Sequence, residues 1–166
     1  MFKPSPPSSV VWCYGKHHQD LPTDVTLIEG LPTEQDLVPD SLVVIDDLMH
    51  EVGRFVETLF TKGSHHDSIS VVLLTQNVFD KSLRTISLNA HQLVLFKNPR
   101  DALQASYIGK QMYPGNPKYF REAFKDATDP PHGYLLCDLR QDTPDSLRLR
   151  TGIFPDDRRH VVYVRV

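Results

Sequence analysis

Two adjacent carboxylates, Asp46 and Asp47, end an apolar run, Leu42-Val43-Val44-Ile45. Acids at the end of a strand have two chemical uses: oxygen ligands for a hard divalent cation, and a base for an attacking water. The run is apolar at every position and mostly β-branched, which is the pattern of a parallel strand covered on both faces. In open α/β sheets ligands bind beyond the carboxyl ends of such strands, so the two acids are placed for work. On these six residues alone, a strand ending in a solvated Asp-Asp turn is an equally good reading.

A second apolar run, Ile69-Ser70-Val71-Val72-Leu73-Leu74, also stops on polar groups, Thr75-Gln76-Asn77. Between the two runs, Leu48, Val52, Phe55, Val56, Leu59 and Phe60 recur at helical spacing, which predicts an amphipathic helix over Met49 to Lys62, stopped by Gly63. Strand, helix and strand then form a βαβ unit whose polar ends share one sheet edge. The Gln76 amide, both donor and acceptor, can orient a water there. The plainer reading is that Thr75 or Asn77 caps the next element.

The remaining elements must position that edge. Val10 to Tyr14 and Val25 to Ile28 read as strands, and Thr33 with Asp36 as the cap of a short helix. Arg84 to Asn89 reads as a short turn or helix. His91 to Phe96 is a third apolar strand, followed by a helix from Pro99 to Met112 with Asn98 as its N-cap. A further helix carries Tyr119, Phe120, Ala123, Phe124 and Ala127. Gly133 to Leu139, Leu147 to Thr151 and Val161 to Val164 read as an antiparallel extension. Residues 1 to 9, rich in proline and serine, are expected to lack order of their own, leaving 10 to 166 as one domain.

Composition sets bounds without proposing a partner. The chain has 166 residues, 40% apolar and 23% charged, with a formal charge of −3, so any nucleic-acid surface must be a local patch or a shared one. Cys13 and Cys137 each sit in an apolar run, which predicts buried free thiols and a reducing, intracellular compartment. No apolar run approaches the roughly twenty residues of a membrane span. His17-His18 reads as a solvated turn and His65-His66-Asp67 as a loop, since adjacent residues rarely converge on one ion.

Leu42 to Met49, Leu59 to His66, Ile69 to Asn77, Arg84 to Asp101 and Gly133 to Phe154 together resemble the HerA/FtsK-type DNA-packaging ATPases of large DNA viruses and Maverick/Polinton-like elements. The specific part is the combination of the two-acid strand, the strand ending in Thr-Gln, and Asn98-Pro99-Arg100-Asp101. The resemblance implies an α/β fold of the P-loop NTPase (RecA/FtsK-like) kind: a mainly parallel sheet with helices on both faces and a C-terminal antiparallel extension. It also implies ATP and Mg²⁺ as cofactors, with Asp46 as the Walker B magnesium aspartate, Asp47 as catalytic base and Gln76 as γ-phosphate sensor. Arg84 or Arg100 would be the arginine finger acting in trans. The implied partners are duplex DNA and a ring of identical subunits, in the nucleus or cytoplasm of a host cell or in a virion.

The chain departs from that family at one point. It has no G-x-x-x-x-G-K-[ST]; its Gly-Lys pairs, Gly15-Lys16 and Gly109-Lys110, lack the upstream glycine and the hydroxyl. That loop supplies the backbone N–H groups and lysine that cradle the phosphates. The resemblance therefore implies a chain that starts after the P-loop, or a decayed copy, inactive by itself and holding no cofactor, monomeric or aggregating in isolation. Two other functions stay open: a non-catalytic module that associates with an intact ATPase subunit, and a metal-dependent nuclease using Asp46 and Asp47. In the family the P-loop strand lies between the strands that Ile69 to Leu74 and Leu93 to Phe96 resemble. Without it, those two strands are expected to pair directly.

Overall fold

Runs of β-branched and aromatic residues become strands where the sequence places them, and their alternation fixes which side chains are buried. The computed structural model describes residues 6–16, 22–63, 68–154, 157 and 159–165. It is an α/β protein whose contacts divide it into two compact units, Met1–Asn89 and Ala90–Val166.

The first unit contains strands β1 (Ser9–Tyr14), β2 (Thr26–Glu29), β3 (Ser41–Asp46) and β4 (Ser70–Leu74), with helices α1 (Arg54–Thr58) and α2 (Arg84–Asn89). All four strands are parallel, in the order β2-β1-β3-β4. Odd-numbered side chains of the three aligned strands β1, β3 and β4 face one way. Val11, Cys13, Val43 and Ile45 there form the core with Leu48, Val56, Leu83 and Ile86. Before β3, Thr33 and Asp36 make the expected cap: the Thr33 amide and hydroxyl both donate to Asp36 Oδ2, at 2.7 and 2.6 Å.

The second unit holds β5 (Gln92–Phe96), α3 (Ala102–Met112), α4 (Pro117–Ala127), β6 (Tyr134–Asp138), β7 (Leu149–Arg150) and β8 (Val162–Tyr163). Its strands form an antiparallel sheet in the order β5-β6-β7-β8. Phe120, Ala123, Leu135, Leu136, Cys137 and Leu149 are buried in this unit. Gly109 permits the contact of α3 with α4, because a Cβ there would stand 2.6 Å from the Phe120 ring. Cys13 and Cys137 are buried free thiols, as their apolar surroundings predict.

Several expectations are corrected. Among the described residues the two strands expected to pair directly do not: β4 is the edge of the parallel sheet and β5 the edge of the antiparallel one. Nor does β5 belong to the parallel sheet, because it runs antiparallel to β6. Apolar character on both faces of β4 does not mean burial on both, since Val72 and Leu74 are 41% and 40% exposed. The helix after β3 begins at Arg54, not Met49, because a turn closed by the Glu51 N–H on the Leu48 carbonyl (2.9 Å) and an extended Gly53 come first. It then widens into a π turn over Leu59–Gly63. Asn98 is no helix N-cap: the Asp101 N–H closes a turn on its carbonyl at 3.1 Å, and α3 starts at Ala102. Of the stretch expected to lack order, Ser8 donates to the Asp40 and Pro39 carbonyls and Ser9 opens β1. His17-His18 and His65-His66-Asp67 lie outside the described residues. Among those described, no helix is long and apolar enough to cross a membrane.

Candidate functional site

In the parallel sheet Tyr14, Asp46 and Leu74 are aligned partners on adjacent strands. Gly15, Asp47 and Thr75 therefore emerge side by side at the carboxyl edge. The edge is built by register: one residue of slippage in β3 would turn Asp46 into the core and Ile45 out of it.

Asp46 is the last residue of β3 and is half-buried on the face opposite the core. Trp12, which aligns with Val44, reaches diagonally along that face and donates its indole N–H to Asp46 Oδ2 at 3.3 Å. Asp47 then leaves the strand in a left-handed conformation, φ 53°. Aspartate visits that region more readily than most residues, and the turn separates the two neighbouring carboxylates: Asp46 stays on the sheet, while Asp47 is exposed beyond it. Buried Leu48 anchors the turn from behind. Gly15 makes room for it, since a Cβ there would lie 3.2 Å from the Asp47 carbonyl oxygen and 3.3 Å from Leu48 Cδ2.

Gln76 is exposed in the bend that follows β4. Its neighbours shape that bend. The Thr75 hydroxyl donates to Met49 Sδ at 3.4 Å, tying the end of β4 to the turn after β3, and accepts the Asn77 N–H at 3.2 Å. Asn77 Oδ1 takes the Phe79 N–H at 2.9 Å, and Asp80 Oδ1 takes the N–H and hydroxyl of Ser82. Thr75 and Asn77 thus close local turns on either side of Gln76, while the N-cap of the short helix that follows, Lys81–Leu83, is Asp80 rather than Thr75 or Asn77. Hydrogen bonds from Ser82 lower the Asp80 pKa from its ordinary value.

Asp46, Asp47, Gln76 and Arg84 all belong to the first unit; Arg84 is exposed at the start of α2. Arg100 belongs to the second unit, exposed in the turn before α3. Both Gly-Lys pairs have structural uses of their own: Gly15 clears the Asp47 turn and Gly109 the α3–α4 contact.

Among the described residues no group of three or more His, Cys, Asp or Glu side chains is set to hold a metal ion. Magnesium ordinarily takes one or two carboxylates and completes its shell with water and phosphate. A single oriented carboxylate at a strand end, Asp46, fits that share. A cavity of about 500 Å³ lies in the second unit, and none of the candidate residues lines it.

Sequence reasoning did not single out Trp12. The only signal for it was a tryptophan on the strand that parallel pairing sets beside β3, and that pairing is not readable locally. Comparison with protein-family models, curated proteins and solved structures found no match.

Proposed function

We propose that this chain is a fragment or degenerate relative of a HerA/FtsK-type DNA-packaging ATPase, contributing the acid and sensor edge of a nucleotide site without its phosphate cradle. The observation that carries the reading is the strand order. The two-acid strand β3 lies between β1 and the Thr-Gln strand β4, all parallel, with their polar ends aligned. In that family the P-loop strand lies beside the strand β4 resembles, and here β4 is an edge.

In this reading Asp46 would hold the Mg²⁺ that arrives with the nucleotide; the ion supplies charge neutralisation at the β- and γ-phosphates when bound. The exposed carboxylate of Asp47 takes the proton of the attacking water. Gln76 orients that water through its amide. Arg84 or Arg100 serves a neighbouring subunit in a ring around duplex DNA. A second reading, a non-catalytic module that docks on an intact subunit, draws on the open edge of β4 and its exposed Val72 and Leu74.

Nucleotide titration and phosphate release test the proposal. These 166 residues alone should bind ATP·Mg²⁺ no tighter than millimolar and show no turnover. When a P-loop strand and helix are fused ahead of β1, Asp47→Asn should abolish hydrolysis with nucleotide affinity nearly unchanged, because a base acts on the transition state. Micromolar binding by the 166 residues, or a fused Asp47→Asn chain that still hydrolyses ATP, would sink the reading.

A further inference from the structure

The cavity of about 500 Å³ in the second unit belongs to no role assigned above. It lies at the turn between α3 and α4, where the Tyr113 N–H closes α3 on the Gly109 carbonyl at 2.9 Å and the Asn116 N–H closes the turn on the Tyr113 carbonyl at 3.0 Å. Tyr113 lines the cavity, is only 8% exposed, and packs edge-on to Tyr119 with ring centroids 5.1 Å apart. Its hydroxyl is buried and has no hydrogen-bond partner among the described residues. Burial pushes the hydroxyl pKa up to about 12, so it keeps its proton and is a donor without an acceptor. Buried polar groups are ordinarily paired, and one left alone in a cavity wall calls for a partner.

The other polar groups of the wall are of the same kind. The Arg165 guanidinium stands over the Tyr113 ring, 5.6 Å from its centroid, and makes no hydrogen bond or ion pair among the described residues. Arg148 gives Nε to Asp145 at 2.8 Å and Nη1 to the carbonyls of Asp138 and Arg140, which leaves Nη2. Asn116 commits its side-chain oxygen to the Tyr119 N–H at 3.3 Å, which leaves its NH₂ group. Asp145, the carboxylate of this lining, is already held by Arg148. The wall is thus rich in donors and poor in acceptors, with two guanidiniums set against one carboxylate. Phosphate oxygens are pure acceptors and pair well with guanidiniums. The volume is far more than a bare phosphate fills and lies in the range of small-molecule sites, and Met112 and Pro114 offer apolar surface to the rest of a ligand.

We propose that this cavity binds a small phosphate monoester, with Arg165, Arg148 and the Tyr113 hydroxyl donating to its phosphate. The site lies wholly within the second unit and does not rest on the nucleotide reading.

Phenyl phosphate is the probe, with inorganic phosphate and phenol as controls, titrated calorimetrically into the full chain. Phenyl phosphate should bind, inorganic phosphate about tenfold more weakly for want of the apolar part, and phenol not measurably. Arg165→Gln, at an exposed side chain, should weaken phenyl phosphate about tenfold, the worth of a charge-assisted hydrogen bond. Tyr113→Phe should weaken it about fivefold and at the same time raise the urea midpoint, because it deletes a hydroxyl that is unpaired in the free protein. A tyrosine that serves packing alone would leave affinity unmoved. No phenyl phosphate binding at millimolar concentration, or binding indifferent to both substitutions, would overturn the site. A lowered urea midpoint in Tyr113→Phe would overturn its premise, the unpaired hydroxyl. Inorganic phosphate bound as tightly as phenyl phosphate would overturn the monoester as its ligand.

Discussion

Asp46 and Asp138 are the last residues of strands β3 and β6, one in each unit, and they are held in different ways. Asp138 is fully buried. Arg140 donates Nε to its Oδ1 (3.0 Å) and Nη2 to its Oδ2 (2.8 Å), Arg150 adds Nη2 at 2.8 Å, and Thr143 adds its hydroxyl at 2.9 Å. Burial pushes its pKa up, yet hydrogen bonds from Arg140 and Thr143 outweigh that and hold it at about 2. Asp46 is only half-buried, and the partner that β1 gives it is a neutral indole. A carboxylate enclosed by two guanidiniums is a structural tie. Asp46 lies half-buried at the carboxyl edge of its sheet, and a neutral indole N–H is among its contacts. Residue type and position at a strand end do not separate the two; partners and burial do.

The largest test of this contrast is Asp138→Ala against Asp46→Ala. Removing Asp138 strands two guanidiniums and a buried hydroxyl and should cost about 3 kcal/mol, in keeping with a broken buried ion pair. Removing Asp46, which is half-buried rather than fully buried, should cost less, the Trp12 hydrogen bond by itself being worth about 1 kcal/mol. Urea unfolding of both variants measures this, and equal costs would erase the distinction.

Acid should discriminate next. The Asp138 pKa is lowered on folding from 3.8 to about 2, so the native state favours the ionised form. Its contribution is complete above pH 4 and is lost as pH falls from there through about 2. By linkage this amounts to about 2 kcal/mol. Unfolding free energies between pH 5 and 2 should therefore fall less steeply in Asp138→Asn than in the wild type. Parallel slopes would mean that the arginines do not stabilise the charge.

The smallest effect sharpens the other side. Trp12→Phe deletes one hydrogen bond of 3.3 Å from a neutral donor to a half-buried carboxylate and should cost about 1 kcal/mol. A loss of several kcal/mol would place Trp12 with the core rather than with the site.

Much of the local structure was legible in the sequence. Apolar runs located β1, β3, β4 and β6, the pair Thr33 and Asp36 announced its cap, and the surroundings of Cys13 and Cys137 announced buried thiols. These features depend on neighbours within a few residues, through periodicity, propensity and short-range hydrogen bonds. The late start of α1 and the turn at Asn98 were missed because a backbone hydrogen bond between Glu51 and Leu48, or between Asp101 and Asn98, competes with the helix and leaves no mark in hydrophobic spacing.

The sequence by itself determined that two carboxylates would stand at the end of a β-strand, and that an amide would follow the next one. Only the tertiary structure decided that β4 is an edge with Val72 and Leu74 half-open, that β5 joins β6, and that Asp46 meets Trp12 while Asp138 meets arginines. The physical reason is that strand identity is a local property of the chain, whereas a strand's neighbours and register are chosen by closing loops between distant segments. The same apolar alternation is compatible with many pairings until one of them buries the core.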